Sequence, residues 1–354
     1  MLAKSRVWIV YVVIALGLIY EIFVLLGPET SVSWPHFTGS HDAATDSHKE
    51  PLTGSFNPSP ATPVSALPPN PSPTLAITTF LTGQASDDTY FNLTRLFAYQ
   101  LLHAEDTRIT NPDLTFVVLC GRLVSEEKKE QIKRLGASVI TLEDVQLPEW
   151  IHIGEPRWSE QFTKLRAFEQ TQFKRMLYVD ADYMVMHPLD KIFDESIVQN
   201  LTPTLNREDQ IKEDEGILPA KWLFAARSEN GGQGGFSHFV PPISTNYANA
   251  GFFLIAPDQS MYNHLMDVMK VENRFPTTYM EQDLLNYVFR RDGPMPWREL
   301  DWKWSANFVN EEDVKFGVHS LHGKFWKEGP QVVRDRYSQM MHELDELEER
   351  LARE

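Results

Sequence analysis

Two carboxylates one residue apart, Asp180 and Asp182, follow the short apolar run Met176–Val179, with Ala181 between them. Residues i and i+2 of a strand point the same way. At a strand end, both side chains can therefore reach one divalent cation. Oxygen ligands suit magnesium or manganese. Ligands of α/β sheets bind at the carboxyl ends of strands. Apolar residues resume at Met184, Val185, Met186 and Leu189. The acidic pair thus interrupts a hydrophobic segment, a costly place for unpartnered charge. On the motif alone, a turn holding two solvated aspartates competes with metal binding, because Asp is common in turns.

The elements that position this pair are legible on both sides. Strands are expected at Ala76–Leu81, Leu114–Cys120, Ser138–Leu142 and Met176–Val179. Helices are expected from Asp87 or Asp88 to about His103, from Ser125 to Gly136, and over Ser159–Gln172. This βαβαβαβ alternation predicts an α/β domain with a mixed, mostly parallel sheet flanked by helices. Residues 196–216 read as a polar surface insertion and 230–235 (NGGQGG) as a mobile loop lacking the context of a phosphate-cradling glycine loop. Further strands are expected at Trp222–Arg227 and Tyr247–Pro257. Helices are expected at Gln259–Val271 and Glu281–Phe289, and a last strand over Val314–Trp326. Trp297, Trp302 and Trp304 suit a packed aromatic core better than sugar stacking. Past Pro330, Val333, Tyr337, Met340, Leu344, Leu347 and Leu351 form an apolar seam on a charged helix. That seam fits either docking on the domain or self-association as a homodimer.

The 354 residues suffice for one large domain or two ordinary ones. A net charge of −16 argues against nucleic acid as a partner. One cysteine, Cys120, excludes an intrachain disulfide and a multi-cysteine zinc site, and its place at a strand end suits the core. Residues 7–26 are almost wholly apolar, with Lys4 and Arg6 before them and one charge, Glu21, inside. This predicts an uncleaved signal anchor with a cytoplasmic tail at 1–6. A Pro/Ser/Thr-rich stem follows over 27–74, then a catalytic domain over 75–330 and an amphipathic helix over 331–354. The expected protein is single-pass, type II, facing a secretory lumen, and the Asn92 and Asn200 sequons are compatible with that side.

Four blocks in order resemble glycosyltransferase family eight, the glycogenin and bacterial galactosyltransferase group. They are Thr163-Lys164-Leu165; YVDADYMVMHPLDKIF; NAGFFLIAP with EQDLLN; and a late His with Lys and Trp. Haloacid-dehalogenase-type phosphatases also open with an apolar strand and Asp-x-Asp. They lack the other blocks and place the motif near the domain start. The likeness spans roughly Leu75 to Pro330 and is nearest to fungal members of the Golgi N-acetylglucosaminyltransferase type. It implies an A-type fold, a UDP-sugar donor, manganese or magnesium, retention of anomeric configuration, and a glycan or glycoprotein acceptor. Golgi residence follows from the anchor and stem.

Carried over by position, the resemblance assigns Asp180, Asp182 and a late His to the metal. His322 is chosen over His319 because Lys324 and Trp326 follow it. This HGKFW end is more tightly spaced than the family's. Lys164 and Lys324 approach the nucleotide and its phosphates, and Ala181 lies beside them. Asn249, Ala250 and Gly251 contact the donor sugar. Phe80, Thr82 and Tyr90 lie near the uridine. Gln282 falls beneath the anomeric carbon and Asp283 follows it. The family more often has Asp where Glu281 stands. Gln282 cannot ionise, so it is a poor base and a weak nucleophile. Front-face attack by the acceptor hydroxyl is the expected route. A catalytically silent family member that binds nucleotide sugar and partners another transferase is the alternative.

Overall fold

The computed structural model describes residues 74–83, 87–153, 156–231 and 234–353. The expected anchor over 7–26 and the stem as far as Pro73 lie outside the described residues. Among the described residues no helix is long and apolar enough to cross a membrane.

In chain order the elements begin with β1 (Leu75–Leu81), α1 (Thr89–Leu102), β2 (Leu114–Gly121), α2 (Glu126–Arg134) and β3 (Ser138–Leu142). Then come α3 (Pro156–Glu160), β4 (Arg175–Val179), β5 (Tyr183–Val185) and α4 (Ser196–Gln199). β6 (Thr202–Pro203), β7 (Lys221–Trp222), β8 (Phe224–Ser228) and β9 (Ala248–Ile255) follow. The chain continues through α5 (Gln259–Lys270), α6 (Glu281–Val288), β10 (Arg298–Glu299), α7 (Glu311–Lys315), β11 (Ser320–His322) and α8 (Gln331–Leu351).

Seven strands form one sheet in the order β10-β8-β9-β4-β1-β2-β3. β9 alone runs against the rest, antiparallel to both β4 and β8. The sheet is therefore mixed and mostly parallel, and both faces are apolar. Along β4, Leu177 and Val179 enter one core while Met176 and Tyr178 enter the other. Alternation of this kind, buried on both sides, belongs to a sheet covered by helices on each face. Cys120 is fully buried at the end of β2, and burial pushes its thiol up to about 12.

The reversal of β9 creates the site. Because β9 is antiparallel to β4, its first residues lie beside the carboxyl end of β4. Val179 pairs with Phe252, and Asp180 N donates to Gly251 O at 2.9 Å. β8 ends at the same edge, Ser228 pairing with Ala248 across a register shift after Ala226. A separate two-stranded ribbon, β5 with β11, pairs Tyr183 with His322.

Several expected elements take a different form. The helix over 159–172 is α3 followed by a 3₁₀ segment, Gln161–Glu169. That segment buries Phe162, Thr163, Lys164, Leu165, Ala167 and Phe168, too broad a buried face for a helix lying on the surface. The strand expected at Trp222–Arg227 is two pieces. Lys221–Trp222 pairs with β6, and only Phe224–Ser228 joins the main sheet. Residues 196–216 are not all surface: Glu215 is buried, with Arg274 at 2.9 Å and the Tyr287 hydroxyl on its carboxylate. The expected mobility of 230–235 fails at Asn230, which is buried and donates its N–H to Asn307 Oδ1 at 2.8 Å. Residues 232–233 lie outside the described residues. The last strand is only Ser320–His322. Residues 311–315 are helical, with an Asn310 capping box, and Gly317 turns at φ 72°.

Of the two fates open to the C-terminal seam, the structure shows docking. Val333, Met340, Leu344 and Leu347 are buried in the core beside α1. Arg95 Nε donates to Glu348 Oε1 at 2.8 Å, and the Tyr99 hydroxyl to Glu343 Oε2 at 2.9 Å.

Candidate active site

One ligand atom from each of Asp180, Asp182 and His322 falls within 4.8 Å of the others. Asp180 leaves the end of β4, Asp182 precedes β5, and His322 ends β11, so the ribbon register fixes the last two against each other. His322 Nε2 stands 3.1 Å from Asp182 Oδ1, yet neither atom completes a hydrogen bond. The Tyr90 hydroxyl reaches Asp182 Oδ2 at 3.4 Å. The Tyr178 hydroxyl donates to Asp180 Oδ1 at 2.8 Å.

Lys164, from the 3₁₀ segment, is buried against this group. Its Nζ lies 2.5 Å from Glu281 Oε1 and 3.7 Å from Asp180 Oδ1, and donates to Ala250 O at 3.3 Å. Burial works against its charge, but Asp180 and Glu281 outweigh burial and raise its pKa. It stays an ammonium. Burial pushes Glu281 up against the pull of Lys164, and Glu281 Oε2 has no hydrogen-bond partner. Burial would also raise Asp182, but the imidazole of His322 and the charge of Lys324 hold it below the usual range. Burial opposes protonation of His322, and Asp182 with Asp180 raises it.

The start of β9 forms the floor. Gly251 N donates to Asn249 Oδ1 at 2.8 Å, and Ala250 N to Gln282 Oε1 at 2.8 Å. A Cβ on Gly251 would meet Asp180 Oδ2 at 2.8 Å, Asn249 Oδ1 at 2.9 Å and His322 Cε1 at 3.3 Å. Only glycine lets these three groups close over the backbone. Met280, which caps α6, sits at φ 53° without being glycine. Backbone strain of this kind clusters at functional sites.

The other expected residues are distributed as follows. Ala181 is buried between the aspartates, and Lys324 is half-buried two residues past His322. Phe80 packs into the core on the Tyr178 face. The Thr82 hydroxyl and Gly83 N both bond the buried carboxylate of Glu160. His319 is turned elsewhere, with Nδ1 3.0 Å from Pro188 O and its ring 4.6 Å from that of Trp304. Asp283 spends both oxygens on structure. It accepts from the Tyr247 hydroxyl at 2.5 Å and from Tyr279 N at 2.7 Å.

Sequence reasoning missed Glu229. It follows β8 at the same sheet edge and accepts from Asn249 Nδ2 at 2.7 Å and Gly231 N at 3.3 Å. The available signal is its position directly after a strand, which runs to Ser228 rather than to the expected Arg227. Glu160 and the Tyr178 hydroxyl were missed for a similar reason: each acts through a fold contact with no motif of its own.

The donor set fits a divalent cation. Asp182 Oδ1 and His322 Nε2, both buried, lie 3.1 Å apart with neither completing a hydrogen bond. Asp180, Asp182, Glu281 and Glu229 outnumber Lys164, Lys324 and His322 as charges. Such an excess is costly in a buried site unless a cation joins it. Two carboxylates and an imidazole are acceptable ligands for manganese.

No family model matches the chain. An uncharacterized protein of Schizosaccharomyces pombe is 30% identical over 292 residues, covering 73% of this chain and 74% of the relative. Galactinol synthase 2 of Arabidopsis thaliana is 26% identical over 182 residues, and the match spans about half of each chain (47% and 49%). Glucose N-acetyltransferase 1 of Debaryomyces hansenii is 31% identical over 106 residues, covering 29% of this chain and 22% of the relative. Among solved structures, the galactosyltransferase LgtC with donor and acceptor sugar analogs aligns at TM-score 0.43 and 15% identity. That alignment covers 76% of this chain and 95% of LgtC. Mouse xyloside xylosyltransferase 1 aligns at TM-score 0.45 and 14% identity, covering 70% and 96%.

Proposed function

Because the chain belongs to glycosyltransferase family eight, we propose that it moves a hexose or N-acetylhexosamine from a UDP-sugar to a glycan or glycoprotein hydroxyl, with retention. The convergence of Asp180, Asp182 and His322 beside Lys164, Asn249 and Gln282 carries this reading. The apolar run at 7–26 and the stem after it support a luminal, Golgi-type setting.

Asp180, Asp182 and His322 would hold manganese or magnesium, which when bound supplies Lewis acidity toward a departing diphosphate. The chain's own groups do the rest. Lys324, half-buried beside Asp182, offers a point charge to the phosphates. Lys164 is already committed to Glu281 and Asp180, so it steadies those carboxylates and the Ala250 carbonyl. Asn249 is locked by Glu229 and Gly251 N, and Gln282 by Ala250 N. These two amides present a fixed polar surface to the sugar. Glu229 and Asp283 are engaged on both oxygens, and Glu281 faces a buried ammonium. Of these carboxylate oxygens only Glu281 Oε2 lacks a partner, and the ammonium of Lys164 on its other oxygen weakens it as a nucleophile. The acceptor hydroxyl therefore attacks the anomeric carbon from the side the nucleotide leaves, and its proton passes to the leaving phosphate oxygen. A covalent glycosyl adduct trapped on Glu229, Glu281 or Asp283 would overturn this route.

The test is hydrolysis of UDP-galactose, UDP-glucose and UDP-N-acetylglucosamine with manganese and with chelator, alongside calorimetric titration of UDP. Metal-dependent turnover of one donor is the expected result. Metal-dependent UDP binding with no turnover of any donor would instead mark a silent member.

A further inference from the structure

His322 is held in an unusual way for a metal-ligating histidine. Such a ring ordinarily donates its second N–H to a carboxylate or carbonyl, which fixes its orientation. Among the described residues, His322 Nδ1 has no hydrogen-bonding protein partner. The ring lies flat on Tyr183 instead, with centroids 4.5 Å apart and planes 7° from parallel. Tyr183 is the residue opposite His322 in the β5–β11 ribbon, so the two side chains meet as a cross-strand pair.

Tyr183 is itself fixed from three sides. Ser305 Oγ donates to its hydroxyl at 3.2 Å, and the Phe252 ring leans on it at 5.8 Å. The buried side chain of Gln100 clasps its strand, Nε2 donating to Tyr183 O at 3.2 Å and Oε1 accepting from Val185 N at 2.7 Å. A three-residue ribbon is marginal alone. The amide of Gln100 acts on β5 as a neighbouring strand would. Tyr183 is 1% exposed, so it contacts neither donor nor acceptor.

The geometry points to Tyr183 as the positioning residue that aims His322 Nε2 at Asp180 and Asp182, by ring stacking rather than through a hydrogen bond to Nδ1. This rests on the metal-site reading above. Manganese uptake by the folded full-length protein, followed by the EPR signal of free manganese, tests it together with the imidazole proton shifts of His322. Those shifts are assigned by difference against His322→Gln. In wild type and Tyr183→Phe the His322 ring protons are expected upfield, and manganese affinity agrees within about threefold. In Tyr183→Leu the upfield shift is expected to vanish and affinity to fall about 10- to 100-fold, the usual effect of removing a group that orients a ligand. If Tyr183→Leu does not fold, Tyr183→Met takes its place. A folded aliphatic variant that binds manganese within twofold of wild type overturns the inference alone. Wild-type protein that takes up no manganese overturns the metal-site reading, and this inference with it.

Discussion

Glu299 and Asp182 are both carboxylates at low exposure near the same sheet, and their surroundings differ in kind. Glu299 Oε1 accepts from Arg227 Nη1 at 2.6 Å, Ser228 N at 3.0 Å and Ser228 Oγ at 2.6 Å. Its Oε2 takes Arg291 Nη2 at 2.8 Å and the Ser244 hydroxyl. Two guanidinium groups serve one carboxylate, and both oxygens are filled. Asp182 sits instead in a group where acids exceed bases and where Oδ1 has no completed hydrogen bond. A closed network holds the fold together. An open one keeps a place for something else, and the fold has to hold it against its own repulsion. Buried polar groups left incomplete are rare enough to need a reason.

The contrast sets opposite expectations for stability and activity. Asp182→Asn should abolish metal-dependent donor turnover. Loss of a metal's contribution of several kcal/mol corresponds to roughly 10³-fold in rate. Thermal denaturation should show only a small fall in melting point, because the attraction of His322 and Lys324 for the Asp182 charge is lost while the cost of burying that charge is relieved. Activity within tenfold of wild type, or a melting point lowered by more than about 5 °C, would erase the distinction. Glu299→Gln should behave the other way. It leaves the Arg227 guanidinium, 3% exposed, without its carboxylate, which should cost about 2–3 kcal/mol by urea denaturation. That lies below the range for a fully buried pair, because Glu299 is 21% exposed and partly screened. Manganese affinity should be unchanged. A smaller effect separates the docked tail from both networks: Arg95→Ala should cost about 1 kcal/mol of stability by the same denaturation, with no change in oligomeric state by light scattering. A shift to dimer would mean the seam of α8 was held off self-association by that contact.

The same contrast explains what the sequence revealed. Strands β1 to β4 are legible because each is a short run dominated by apolar and β-branched residues and bounded by turn signals. Asp180 and Asp182 are legible as a carboxylate pair at a strand end, while Asn249 and Gln282 stand out only through the family resemblance of their short blocks. Glu229 and Tyr183 are not legible, since each acquires its role from a partner far along the chain: Asn249 across the β8–β9 edge, His322 across the ribbon. The three-residue strand β11 was overextended because its apolar neighbours belong to α7 and to the packing of Phe325 in the core. Periodicity does not separate an α-helix from the 3₁₀ segment around Lys164, because that segment is buried over most of its circumference.

His238 offers the finest test of the closed-network idea, because its charge can be varied without mutation. Its Nε2 lies 3.1 Å from Asp313 Oδ1 and its Nδ1 2.9 Å from Gly235 O. Two acceptors on one imidazole are both satisfied only when both nitrogens carry protons. Burial lowers the pKa of His238, but the bond to Asp313, its charge and the Gly235 carbonyl outweigh burial and the nearby Arg227, so the net direction is upward. A pKa raised on folding adds stability in full below the unfolded value near 6.5, and that stability is lost as pH rises through the folded value. Asp313 also completes the capping box of α7 with Asn310, so the loss should reach that helix. The expected outcome is a stability gap between wild type and His238→Gln on the order of 1 kcal/mol at pH 6, shrinking steadily toward pH 8.5 in paired denaturation curves. A gap that stays constant with pH would show that the ring contributes packing alone, and one that widens would reverse the sign of the coupling and break the network as drawn.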